Sequence, residues 1–271
     1  MHHVQRTPEA DALWRGLLTG THPLLRRHRR VLNLLPGAPR CKLCSVPFGG
    51  FCGQLFRFSG KRPSNLNPAY CSICDDLART HPGGAELELA FVFADVRGST
   101  ALAESMSAAD FRDLMNRFYD TAIRLFTRSD AMIDKLVGDE VVALYLPAFA
   151  GEDFTARALR DSRNLLAATG HGRQSEPWIP VGIGVHTGTA FVGSVGAPGG
   201  HTDFTALGDA VNVAARLTAS AQPGEILASE VACRAAALDP PAEATWRALE
   251  LSGRTAPVRA VSLGASAAAI D

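Results

Sequence analysis

From Glu86 onward the chain alternates between strand-like and helix-like apolar patterns, and their order limits the folds open to it. Residues 86–95, Glu-Leu-Glu-Leu-Ala-Phe-Val-Phe-Ala-Asp, read as a buried strand. Residues 107–127 carry Phe111, Leu114, Met115, Phe118, Ile123 and Leu125 at helical spacing. Residues 131–137 and 140–147 read as a hairpin around Gly138-Asp139, residues 152–169 as a second helix ended by Gly170, and residues 180–186 as another strand. The order β-α-β-β-α-β is the ferredoxin-like arrangement. A strand at 189–195, an Ala-rich helix at 208–220 and short strands near 225–228, 246–251 and 257–262 extend it. The expected class is α+β, with a ferredoxin-like core and C-terminal additions.

The preceding residues behave differently. Residues 8–33 have helical spacing that Pro23 breaks or kinks, and Pro36-Gly37 ends it. Residues 39–84 are rich in Cys, Gly and Pro and have little periodicity, so something other than a core must hold them. His81-Pro-Gly-Gly84 marks a boundary. Three parts are therefore expected: a helical segment at 1–38, a Cys-rich module at 39–84, and an α+β domain at 85–271.

Charge is zero overall but unevenly placed. Residues 1–80 hold 12 Lys and Arg against 4 Asp and Glu, and the remainder hold 15 against 23. The cluster Arg26-Arg-His-Arg-Arg30 lacks aromatic interleaving, so a solvated face or an intramolecular contact is expected rather than a nucleic-acid partner. No apolar run reaches the ~18–20 residues that span a bilayer, and no secretory core follows the N-terminus. A cytoplasmic protein without a membrane span is expected.

Five of the six cysteines lie between 41 and 74. Cys41-Lys-Leu-Cys44 and Cys71-Ser-Ile-Cys74 are two Cys-x-x-Cys pairs, which suit a closed tetrahedral zinc site. Cys52 leaves open an iron–sulfur cluster through Cys41, Cys44, Cys52 and one other, and a module with no metal is the third alternative. Cys233, in a short helical stretch, is expected to be inert.

In the second part, Asp95 ends a strand and Asp139 sits at a hairpin tip. Either alone is an ordinary turn carboxylate. In a β-α-β-β-α-β sheet the first strand and the hairpin are neighbours, so the two can meet. Paired carboxylates beside the turn Val96-Arg-Gly-Ser-Thr100 suit two divalent cations and a polyphosphate. Lys135 lies in an otherwise apolar strand and needs a partner, unless it only guards a sheet edge. Asn212 and Arg216 lie four apart on an apolar helix, a polar pair that suits a ligand, a subunit interface or an ion pair with Asp209.

Phe93-Ala-Asp-Val-Arg-Gly-Ser-Thr100, Lys135-Leu-Val-Gly-Asp139, Val185-His-Thr-Gly188 and Thr205-Ala-Leu-Gly-Asp-Ala-Val-Asn-Val-Ala-Ala-Arg216 resemble class III nucleotide cyclases over residues 85 to about 265. The resemblance implies a catalytic domain that works as a head-to-tail homodimer on ATP. It implies that Asp95, Asp139 and the backbone of Val96 bind two Mg²⁺ or Mn²⁺ ions, and that Gly98, Ser99 and Thr100 hold the triphosphate. Lys135 and Thr205 of the partner subunit would read adenine, Asn212 would orient the ribose, and Arg216 would steady the transition state. Thr205 in place of the commoner Asp resembles the subgroup that includes bicarbonate-responsive cyclases. Where the family usually carries a phosphate-binding Lys, this chain has Ser252, with Arg254 two residues on as a substitute. The expected function is adenylate cyclase, regulated by the N-terminal module. The alternative is a catalytically weak or decayed cyclase fold that senses or binds. His186 is expected to be structural.

Overall fold

The computed structural model describes residues 8–64, 70–80, 83–196, 202–240, 244–250 and 256–264. Among these the elements run α1 (Pro8–Thr19), α2 (Pro23–Asn33), α3 (Gly50–Phe58), α4 (Ser72–Thr80), β1 (Gly84–Val96), α5 (Ser99–Ser105), α6 (Ala108–Arg128), β2 (Met132–Val137), β3 (Glu140–Tyr145), α7 (Pro147–Ala150) and α8 (Phe154–Thr169). Then follow β4 (Val181–Gly196), β5 (Thr202–Leu207), α9 (Asp209–Ser220), β6 (Ile226–Ser229), α10 (Glu230–Ala235), β7 (Trp246–Leu249) and β8 (Val258–Leu263). The chain divides into two compact units. One comprises residues Met1–Leu87, Leu146–Gly151 and Ala190–Leu207, and the other Glu88–Tyr145, Glu152–Thr189 and Gly208–Asp271.

The strands form an eight-stranded sheet in the order β2-β3-β1-β4-β6-β8-β7, with β5 paired to β4 off this path. The first four strands of the order are the expected ferredoxin-like core, and β6, β8 and β7 are the C-terminal additions. β1 is buried at every position from Leu89 to Ala94, which explains its unbroken apolar run: both faces are covered. Met115, Phe118, Ala122 and Phe126 form the buried stripe of α6, which packs on β2 and on α8. Val213, Leu217 and Ala221 of α9 and the residue after it pack with Leu227 and Ala260.

Two expectations about strands need correction. Residues 180–186 and 189–195 are parts of one strand, β4, which runs through His186-Thr187-Gly188. The polar side chains there are satisfied in place: Thr187 Oγ1 lies 3.0 Å from Thr155 Oγ1, and His186 Nδ1 lies 2.8 Å from Ser229 Oγ. A strand can continue through polar residues once tertiary partners accept them. The second correction is β5, which the sequence reading left unassigned and which pairs antiparallel with β4 from Phe191↔Leu207 to Gly196↔Thr202.

The first unit holds more helix than its composition suggested. α1 and α2 are separate, with Gly20 at positive φ between them and Pro23 at the start of α2, where its missing N–H costs nothing. Arg29 of the basic cluster turns inward, donating to Ala148 O at 2.8 Å and to Ser45 Oγ at 3.3 Å, while Arg26, Arg27 and Arg30 are exposed.

Candidate active site and metal centre

Strand register brings the backbone of Asp95 and of Asp139 to one corner. β1 pairs with β3 so that Asp95 faces Glu140, and the Val96 N–H donates to the Asp139 carbonyl at 3.3 Å. Val137 pairs with Glu140 across the two-residue loop Gly138-Asp139, and Gly138 has φ of 60°. Positive φ at the first loop position is what glycine supplies in tight hairpins. Tyr119 Oη donates to the Gly138 carbonyl and braces the tip against α6.

Two further residues complete this corner. The Arg97 guanidinium contacts the Asp95 carboxylate, and its backbone N–H donates to Pro180 O at 2.8 Å. Burial lowers the Arg97 pKa, while the charges of Asp139 and Glu140 hold it up. Burial, followed by the charge of Asp139, pushes the Glu140 carboxyl up to about 7, against the pull of Arg97 and Lys135. Asp95 contacts this guanidinium, and the charges of Asp139 and Glu140 also act on it. Carboxylate oxygens are the hard donors that divalent cations of the Mg²⁺ or Mn²⁺ kind take. The sequence reading missed Arg97 and Glu140. Both lie inside or beside the stretches singled out, and Glu140 is set opposite Asp95 by the β1–β3 register.

Beside this corner Gly98 caps α5 at φ 67°, and Ser99 and Thr100 form the helix's first turn. A Cβ at Gly98 would meet nothing within 4 Å, so backbone conformation rather than space calls for glycine. Lys135 follows a bulge at Asp134, and its Nζ lies 3.4 Å from Asp134 Oδ2, with the lysine side chain 45% exposed.

α9 presents Asn212 exposed and Arg216 half-buried, one turn apart. The helix lies flush on the sheet: a Cβ at Gly184 would fall 2.3 Å from Thr218 Oγ1, and Thr218 Oγ1 donates to Phe93 O at 3.2 Å. α9 is thereby tied to the strand that ends in Asp95. Thr205 lies in the other unit, buried on β5 opposite Gly193. Ser252 and Arg254 lie outside the described residues.

The four cysteines of the two pairs converge. Cys41, Cys44, Cys71 and Cys74 place their sulfurs within 4.8 Å of one another, and Cys44 Sγ lies 3.8 Å from Cys71 Sγ. The Cys71 backbone N–H donates to Cys41 Sγ at 3.2 Å. Hydrogen bonds from Cys41, then Cys44 and Cys74, hold the Cys71 thiol well below its usual range. Cys52, on α3, is half-buried and outside this group. Cys233 is buried on α10, and that burial pushes its thiol up to about 11, consistent with an inert side chain.

An antiparallel βαββαβ sheet whose first strand and hairpin tip present paired carboxylates is the architecture of a nucleotide cyclase. The chain belongs to the family of adenylate and guanylate cyclase catalytic domains, whose model matches residues 85–250. An uncharacterized protein of Mycobacterium tuberculosis is 34% identical over 191 residues, covering 67% of this chain and 33% of that protein. An adenylate cyclase of Anabaena cylindrica is 32% identical over 133 residues, covering 48% of this chain and 26% of the relative. The chain thus spans a third or less of these relatives' length. Among solved structures, the guanylyl cyclase Cya2 superposes with a TM-score of 0.59 at 22% identity, covering 66% of this chain and 93% of that one. The adenylyl cyclase CyaB from P. aeruginosa gives 0.56 at 25%, covering 66% and 94%. No helix among the described residues is long and apolar enough to cross a membrane.

Proposed function

We propose that this chain is a cytoplasmic adenylate cyclase that converts ATP to 3′,5′-cyclic AMP and pyrophosphate at sites shared by two copies of residues 85–271. The observation that supports this reading is the β1–β3 register, in which Asp95 pairs with Glu140 and the Val96 N–H donates to the Asp139 carbonyl at one end of β1. These groups would hold two Mg²⁺ or Mn²⁺ ions, which when bound acidify the ribose 3′-hydroxyl and offset triphosphate charge. The backbone N–H groups of Gly98, Ser99 and Thr100 hold phosphate oxygens. The 3′-oxygen bonds to the α-phosphorus, and the bond from that phosphorus to the bridging oxygen breaks as pyrophosphate leaves. Arg216, always charged, stabilises the charge that builds at phosphorus, and Asn212 fixes the ribose. Lys135 and Thr205 of the partner subunit read the base. A lysine only donates, which suits adenine N1, whereas guanine presents a proton there, and Thr205 can accept from the 6-amino group.

Product analysis by mass, with the full chain, Mn²⁺ and either ATP or GTP, tests this. Cyclic AMP formed in preference to cyclic GMP is the expected result. Preferential cyclic GMP would overturn the base assignment. Absence of both products from folded, dimeric protein would overturn the enzyme and leave the decayed binding module.

A further inference from the structure

The cysteine centre and the strand that bears Thr205 belong to the same compact unit, and packing joins them. Cys71 immediately precedes α4, Cys74 lies in its first turn, and α4 packs on β5. Trp14 of α1 lies on Phe204 of β5 with ring centroids 5.7 Å apart. The same indole covers Gly83, where a Cβ would fall 2.4 Å from Trp14 Nε1. Gly83 O accepts from Ser194 N–H at 2.9 Å, and Ser194 is the sheet partner of Phe204. Thr205 and its neighbours are therefore held by α1 and α4 as well as by β4.

The apolar support around α4 is thin. Leu43, Val46, Phe48 and Tyr70 are buried, whereas Ile73 and Leu77 of α4 itself are exposed. The buried contact between α4 and the 41–46 turn centres instead on the four sulfurs. A single tetrahedral ion with metal–sulfur bonds of ~2.3 Å sets its sulfurs ~3.8 Å apart, the spacing seen between Cys44 and Cys71. An iron–sulfur core would sit between its thiolates and spread them further, and its candidate ligand Cys52 stands outside the group. Four thiolates around a divalent ion leave two negative charges. Arg29 and Arg40 both bond to Ser45, the residue after Cys44, at 3.3 Å through Oγ and 3.1 Å through O. Two guanidinium groups beside the ligand loop match that charge.

We infer that Cys41, Cys44, Cys71 and Cys74 hold one zinc ion that fixes α4 and, through it, β5, so that metal occupancy governs base selection by Thr205. The last clause rests on the base-reading role proposed above. Loss of the ion would free α4 from the 41–46 turn, and β5 would lose one of its supports.

The test uses the full chain, purified without chelator. Elemental analysis should give about one zinc per chain with no visible absorbance. Cys74→Ser should lose the zinc and Cys52→Ser should keep it. Iron with visible absorbance, or no metal, would overturn the inference. Hydrogen exchange then reads the coupling without catalysis: zinc removal should speed exchange in residues 202–207 by about ten-fold or more while β3 stays protected. Unchanged exchange in 202–207 after the zinc has left would overturn the clamp. The ATP/GTP ratio of kcat/KM should fall in Cys74→Ser and in Thr205→Ala alike. A ratio that falls in Thr205→Ala alone, with β5 exchange unmoved by zinc loss, sinks the clamp and keeps the base reader. A ratio untouched in Thr205→Ala, with β5 loosened by zinc loss, sinks base selection and keeps the clamp.

Discussion

Asp95 and Asp139 reach one corner by different routes, the first as the end of a buried strand and the second as the tip of a hairpin whose glycine permits the turn. Arg97 balances Asp95 within the chain, and Glu140 holds its proton to about 7 under burial and the charge of Asp139. In the proposed reaction both Asp95 and Asp139 are metal ligands. Asp95→Ala and Asp139→Ala are each expected to lower kcat by ~10²-fold or more, since each removes charge stabilisation made at the reacting phosphate. Steady-state kinetics beside circular dichroism checks this. Turnover near wild type in either folded variant would remove that residue from the site.

At the level of elements, the close seat of α9 on β4 positions Asn212 and Arg216. Gly184→Ala would push a methyl group to 2.3 Å from Thr218 Oγ1 and 2.5 Å from the Thr218 backbone N, so the helix must move. A loss of about 1–3 kcal/mol is expected, read from the denaturation midpoint, with lowered turnover beside it. An unchanged midpoint would mean that α9 sits further from the sheet. α8 is tied to the hairpin differently: Asp161 accepts from Tyr145 Oη at 2.7 Å and from Ser129 Oγ at 2.9 Å. Burial raises the Asp161 pKa in spite of these bonds. Between its unfolded and folded pKa values the native state binds more protons, so this carboxyl's contribution is present below that window and is lost as pH rises through it. Replacing the carboxyl by an amide, as in Asp161→Asn, keeps a bonding group without the charge. Denaturation of Asp161→Asn from about pH 3.5 to about pH 6, across the carboxylate range, should therefore lack a stability loss that the wild type shows. Parallel pH profiles would contradict the assignment.

For the whole molecule, the proposed function places the site between two copies of the chain. Sites shared across a two-fold dimer make a definite prediction. Inactive Asp95→Ala mixed in equal amount with inactive Arg216→Ala gives heterodimers in which one site is whole. About a quarter of wild-type activity should return when the subunits exchange freely, since half the dimers carry one intact site of two. No recovery in protein confirmed to be mixed dimer would show that each chain supplies its own site.

How much of this was legible beforehand differs from residue to residue. Asp95 and Asp139 could be picked out because strand ends and hairpin tips are written in local composition, and the ferredoxin-like order makes those two positions neighbours. The cysteines could be paired because Cys-x-x-Cys is a local spacing, whereas only the fold excluded Cys52 from the group. The continuity of β4 was hidden because His186-Thr187-Gly188 has the composition of a turn, and Thr155 and Ser229, which satisfy those polar side chains, are distant in sequence. β5 was hidden because a six-residue strand paired to one neighbour depends on that neighbour more than on its own pattern. Arg97 against Asp95, and Glu140 across from it, are matters of register, which a chain settles only when its strands pair. The sequence by itself determined the main alternation of strands and helices, which rests on periodicity, the pairing of the cysteines, which rests on spacing, and the family, which rests on the resemblance of its motifs. The tertiary structure decided which side chains meet, which polar groups are satisfied and which helix supports Thr205, because those depend on partners that local sequence does not name.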